Sequence, residues 1–154
     1  MADKQIPVVT AVSDIMTAYS VRTGLAAPVA QARRYLWTDA FAVCNFLELY
    51  RQTGNKNFLA AARDLVDQVH LSLGRYSDTD SRKGWISGLD ESAGTLHPTS
   101  GGLRIGKKLA ERQPDEPMDQ RLEWDRDGQY FHYLSKWMHA LSRVSGLTGE
   151  DRYY

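Results

Sequence analysis

The chain has 154 residues, 42% apolar and 25% charged, with a formal net charge of zero, which is an ordinary globular profile with enough length for a core. No basic excess favours a nucleic acid or an anionic membrane, and no apolar run approaches the roughly 20 residues of a membrane span. A single cysteine, Cys44, excludes an internal disulfide and a Cys-based metal site.

The N-terminus carries no positive segment followed by an apolar one, so no signal peptide is expected and a cytoplasmic location follows by default. A first amphipathic helix is expected over about 7–23. Val8, Val12, Ile15, Met16 and Tyr19 share one face, with Pro7 in its first turn and Gly24 as its stop. A second helix, about 37–52, is different in kind. Apolar residues run nearly all round it, with Asn45 and Glu48 the polar exceptions in its middle, so it should be buried on most sides. Thr38 or Asp39 suits its N-terminus. Thr53-Gly54-Asn55 then makes a tight turn into a third helix, about 57–73, with a stripe of Phe58, Ala62, Leu65, Val66, Val69 and Leu73.

Residues 75–127 keep no helical period and form one long loop. Trp85-Ile86 and Leu103-Arg104-Ile105, each bounded by glycines, suit a small β-hairpin within it. A fourth helix spans about 129–147. Tyr130, Tyr133, Leu134, Trp137, Leu141 and Val144 mark its face, which Phe131, Met138 and Ala140 widen. The adjacent basic pairs Arg33-Arg34 and Lys107-Lys108 read as solvated surface.

Two stretches share one layout. The second helix ends in Thr53-Gly54, then polar residues and Phe58. The fourth ends in Thr148-Gly149, then polar residues and Tyr153. The copies lie about 95 residues apart, a longer period than that of ordinary solenoids. In such an arrangement the Thr-Gly turns gather at one end of the stack. The starts of the two inner helices then meet at the other, where Trp37-Thr38-Asp39 and Trp124 to Gln129 should form a mouth.

These residues resemble the six-hairpin (α/α)6-barrel glycosidases and their relatives, the unsaturated glucuronyl hydrolases and sugar 2-epimerases. Trp37-Thr38-Asp39-Ala40-Phe41 is similar to the Trp-Thr-acid-x-Phe opening of an inner helix in those enzymes. Arg126-Asp127-Gly128-Gln129 is similar to their Arg-Gly-Gln, with one residue inserted. The resemblance implies an all-α fold of antiparallel helix hairpins, here an incomplete toroid forming one domain over 1–154, with about four helices where the family has twelve. It implies a carbohydrate substrate, a hydrolysis or epimerisation run by carboxylates, and no cofactor.

Sugar hydrolysis needs one protonated and one ionised carboxyl on either side of the scissile bond. Asp39 with Asp125 or Asp127 is the candidate pair, though each also suits a helix start, where negative charge is favourable by about 0.3–1 kcal/mol. Trp37, Trp124, Gln129 and His132 are the candidate sugar-binding residues. Trp85 is a further stacking candidate, and His132 a candidate acid/base. His132 and His139 are two helical turns apart and no His-Glu-x-x-His pattern occurs, so no metal is expected. A second function class stays open. A non-catalytic helical-repeat module would bind a partner chain or self-associate through an open edge, as a homo-oligomer or with a missing C-terminal portion.

Overall fold

The computed structural model describes residues 5–30 and 32–153. Its elements are α1 (Gln5–Arg22), α2 (Leu36–Thr53), α3 (Lys56–Leu73), α4 (Glu91–Leu96), α5 (Gln120–Glu123) and α6 (Phe131–Thr148), then a 3-10 turn at Asp151–Tyr153. The protein is all-α, and no strand forms among the described residues.

Helix α2 is central and packs against α1, α3 and α6. Its nearly continuous apolar surface follows from those three neighbours. Leu36, Ala40, Ala42, Val43, Phe46, Leu47 and Leu49 are all buried. The helix stops where Gly54 takes a left-handed conformation (φ 69°) and returns its N–H to Tyr50 O at 2.8 Å. Asn55 then caps α3 by accepting the Asn57 N–H at 3.0 Å. In α3 the stripe Ala62, Leu65, Val66, Val69 and Leu73 is buried, as its spacing predicts. Full burial of one such aliphatic side chain contributes about 1.5–3 kcal/mol.

Helices α1 and α6 bury less than their sequences suggest. α1 packs chiefly on α2, and only a narrow row of its residues reaches the core. Met16 is buried and Val9, Val12 and Tyr19 pack against it, while Val8 and Ile15 face outward. α6 buries Trp137, Ala140, Leu141, Val144 and Ser145, and leaves Phe131 and Met138 84% and 67% exposed. The wide apolar girth of α6 is therefore half covered.

The 75–127 segment is not loop throughout, since the short α4 and α5 form within it and raise the expected four helices to six among the described residues. Backbone hydrogen bonds tie it to the long helices. Trp85 does not pair with Leu103–Ile105 in a hairpin. It bridges Arg75 in antiparallel fashion, while the Ile86 N–H donates to Gly74 O at 2.9 Å. The close approach of α4 is the physical reason. A Cβ on Gly94 would lie 2.3 Å from the Trp85 indole, and the Arg75 guanidinium carbon sits over that indole 4.1 Å from the ring centre. Leu103–Ile105 is drawn instead to the helix ends. Arg104 donates its N–H to Leu73 O at 3.0 Å, and Leu103 and Ile105 are buried.

Candidate functional site

The starts of α2 and α6 are tied together through that same segment. The Leu36 N–H, one of the donors a helix N-terminus leaves unpaired, donates to Ile105 O at 3.0 Å. The Ile105 N–H in turn donates to Gly128 O at 2.9 Å. The expected meeting of the two helix starts is thus present, with a third strip of backbone between them.

Aromatic rings fill the junction. Trp37 lies with its ring centroid 5.2 Å from Tyr133 and 6.1 Å from His132. The hydroxyls of Tyr35 and Tyr133 are 2.7 Å apart. Lys107 Nζ sits 5.6 Å from the Tyr35 ring centre and 4.8 Å from that of Trp124, so one cation faces two rings. Trp124, Lys107, Tyr130, His132, Tyr133 and Glu123 line a cleft of about 230 Å³. Trp124 is 79% exposed, an unusual position for the largest apolar side chain.

The three candidate aspartates are not gathered there. Asp39 is buried beneath the start of α2. It accepts the Tyr19 hydroxyl on Oδ1 and the Tyr35 N–H on Oδ2 at 3.0 Å, with Arg34 Nε 3.9 Å away. Burial raises its pKa from the usual carboxylate value, while Arg34 and the two hydrogen bonds oppose the shift. Asp127 is also buried. Its Oδ1 accepts the N–H groups of Gly106 (2.8 Å) and Gly128 (3.0 Å), and its Oδ2 accepts Arg104 Nη1 at 2.8 Å. Both aspartates are filled by protein donors and fix the two helix starts. Asp125 is exposed beside Trp124.

Gln129 donates its amide to Gly101 O at 2.6 Å and lines, with Asp127, a separate cleft of about 170 Å³. The structure places Trp124 and His132 on one cleft with Trp37 against His132, and keeps the buried Asp39 out of that lining. It also sets Asp127 and Gln129 in a neighbouring cleft of about 280 Å³ that shares Glu123, Arg126 and Tyr130 with the recess. Ile105, Lys107, Glu123, Arg126, Tyr130 and Tyr133 are the cleft residues not singled out as site residues from the sequence. Glu123 pairs with Arg112 at 3.0 Å in the short α5, which carries no periodicity to reveal it. Cys44 is half-buried, and desolvation raises its thiol pKa, which suits an inert packing residue.

Among the described residues no group of three or more His, Cys, Asp or Glu side chains is placed to hold a metal ion. No helix there is long and apolar enough to cross a membrane. Fold and cleft together define an all-helical protein with an aromatic recess where two helix starts converge. No protein family, no curated protein and no solved structure matches the chain.

Proposed function

We propose that this chain is a carbohydrate-recognising helical module of the six-hairpin type, which takes a sugar ring against Trp124 in the cleft between the starts of α2 and α6. The observation that carries the reading is the exposed Trp124 indole at the rim of an aromatic-lined recess with Lys107 and Glu123 on its wall. A flat apolar ring with a few polar groups beside it suits a ligand that has one apolar face and many hydroxyls.

The likeness of α2 and α6 supports the six-hairpin part. Each is 18 residues long, follows an extended tyrosine (Tyr35, Tyr130), and ends in a left-handed glycine with φ near 70°. In each the last threonine bonds back to the carbonyl four residues earlier: Thr53 to Leu49 O at 2.6 Å, Thr148 to Val144 O at 2.9 Å. Each threonine hydroxyl also accepts the N–H two residues on, from Asn55 and from Glu150. The two helices pack on one another, as neighbouring inner helices of a toroid do.

Recognition is favoured over self-sufficient hydrolysis. A glycosidase needs two carboxyls flanking the bond, and Asp39 and Asp127 are each occupied by three protein partners. Hydrolysis or epimerisation would fall to Asp125, Glu123 or His132, which are nearest to the recess.

The test is a titration of intrinsic fluorescence with neutral sugars and uronides. All four tryptophans emit, but Trp85 and Trp137 are buried and Trp124 is 79% exposed, so a ligand on the recess should perturb Trp124 most, and Trp124→Ala isolates its share. A saturable change that Trp124→Ala abolishes, with circular dichroism unaltered, is expected. A panel that leaves the emission unchanged, or a response that survives Trp124→Ala, overturns the reading.

A second reading has its own support. Phe131 and Met138, seven residues apart on one face of α6, are the exposed apolar side chains on its uncovered flank. They suit a module that self-associates or binds a partner chain.

A further inference from the structure

Two basic pairs that look like ordinary surface in the sequence, Arg33-Arg34 and Lys107-Lys108, meet in the fold. They line one cleft of about 440 Å³, and Arg104 joins them on its wall. Asp78 is the one carboxylate among the described residues that line it. Five cations thus line a cleft with one acid in its lining. Arg104 and Arg34 have Asp127 and Asp39 beside them, and Arg33, Lys107 and Lys108 are the surplus in a protein whose formal net charge is zero.

A close backbone approach builds this concentration. Gly106 has φ +90°, and a Cβ there would stand 2.1 Å from Arg34 O. Only glycine lets the 106–108 strip press against the segment before α2, and that contact brings the lysines to the arginines.

The cations are not all spent on internal partners. Arg104 is committed to Asp127 and to the carbonyls of Arg75 and Ser72. Arg33, Lys107 and Lys108 have no carboxylate within ion-pairing distance among the described residues. Arg34 is buried; its Nη2 donates to Thr23 O, its Nε approaches Asp39, and its Nη1 meets no acceptor among the described residues. Holding like charges together without counter-charges is unfavourable, and a multiply charged anion reverses the sign of that interaction. Guanidinium and ammonium groups lining one cleft suit tetrahedral oxyanions.

Lys107 also belongs to the aromatic recess, where it faces Trp124 and Tyr35. The two clefts therefore share a wall. We infer that the basic cleft binds the phosphate group of a phosphorylated saccharide whose ring lies against Trp124. The phosphate part stands on the basic cleft alone, and the saccharide part rests on the sugar-recognition reading above.

The experiment is calorimetric titration with inorganic phosphate and with glucose 6-phosphate at fixed ionic strength, on the wild type and on Arg33→Gln/Lys108→Gln. Both side chains are exposed, so the double variant should keep its helical circular dichroism and denaturation midpoint. Expected is binding of both probes, with glucose 6-phosphate at least tenfold tighter, and at least tenfold weakening of both in the double variant. Equal phosphate binding by wild type and variant, or none by either, overturns the anion site. Glucose 6-phosphate no tighter than inorganic phosphate overturns the saccharide assignment. Quenching of Trp124 by neutral sugar reads the other cleft separately. Its loss with phosphate binding intact sinks the sugar-recognition reading and the saccharide assignment with it, while its persistence with phosphate binding absent sinks only the anion site.

Discussion

The indole N–H of Trp137 in α6 donates to Nε2 of His70 in α3 at 3.1 Å. A buried tryptophan N–H needs an acceptor, and His70 can supply one only while that nitrogen is unprotonated. Burial first, and then the charge of Arg152, lower the His70 pKa from 6.5 to about 4. Between those values the unfolded chain binds a proton that the folded protein refuses. Stability should therefore fall as pH drops from 6.5 towards 4, by up to roughly 3 kcal/mol from this group. Denaturation midpoints of the wild type and His70→Gln, compared across that range, check it. The variant keeps an acceptor and loses the titration, so the difference between the two should narrow on acidification. A constant difference would remove His70 as the cause.

Asp39 and Asp127 should behave as structural groups. Asp39→Asn leaves the buried Arg34 without its counter-charge and turns one acceptor into a donor facing Tyr19 or the Tyr35 N–H. The expected loss is about 3 kcal/mol, the scale of breaking a buried pair. Asp127→Asn similarly uncouples Arg104 from the Gly106 and Gly128 amides. Asp125→Asn, at an exposed position, should leave the urea midpoint where it was. Urea midpoints at constant slope are the measurement. A residue kept for chemistry alone would show the reverse pattern, since replacing it often gains stability. Unchanged midpoints for Asp39→Asn and Asp127→Asn would restore them as candidate catalytic groups.

Helix positions were legible because periodicity and caps were both written locally. The stripe from Ala62 to Leu73, and the Thr-Gly ends of α2 and α6, needed no knowledge of neighbours. The all-round apolarity of α2 correctly implied several partners. The same signal misled in α6, because Phe131 and Met138 extend an apolar girth that no described element covers. Trp85 misled for another reason. Its short apolar run suited a strand, yet its partner was settled by Gly94 and Arg75, positions that no short-range pattern links to it. Trp124 and His132, singled out in the sequence, line the aromatic recess, and Trp37 packs against His132. Lys107 and Glu123 were missed because only the fold of the long loop brings them to the recess. The basic cleft was hidden for the same reason: its two halves lie far apart in the chain, and each alone looks like surface.

Two glycines should respond to alanine with opposite signs. Gly146 sits inside α6, where an added Cβ meets nothing within 4 Å, so Gly146→Ala should stabilise by about 0.5–1 kcal/mol through backbone entropy and helix propensity. Gly106 combines φ +90° with a Cβ position 2.1 Å from Arg34 O. Gly106→Ala must break that contact, and a cost of about 2 kcal/mol or more is expected from strain at such a conformation. Thermal denaturation of the two variants distinguishes them directly. Since the displaced strip carries Lys107 and Lys108, Gly106→Ala should also weaken phosphate binding while Gly146→Ala leaves it intact.

Phe131 and Met138 offer the last contrast, between packing and association. Both project from α6 away from its buried face of Trp137, Ala140, Leu141 and Val144, so neither contributes much to the core. Phe131→Ser/Met138→Ser should leave the denaturation midpoint of the dilute protein within about 0.5 kcal/mol of wild type. If the uncovered flank drives self-association, the wild type should show a concentration-dependent increase in sedimentation coefficient that the double variant lacks, because removing two large exposed side chains takes away the apolar area the contact would bury. A wild type that sediments as a monomer at every concentration would discard self-association through this face. Association that persists unchanged in the double variant would move the contact elsewhere on the molecule, with the half-exposed Phe41 of α2 the next apolar position to replace.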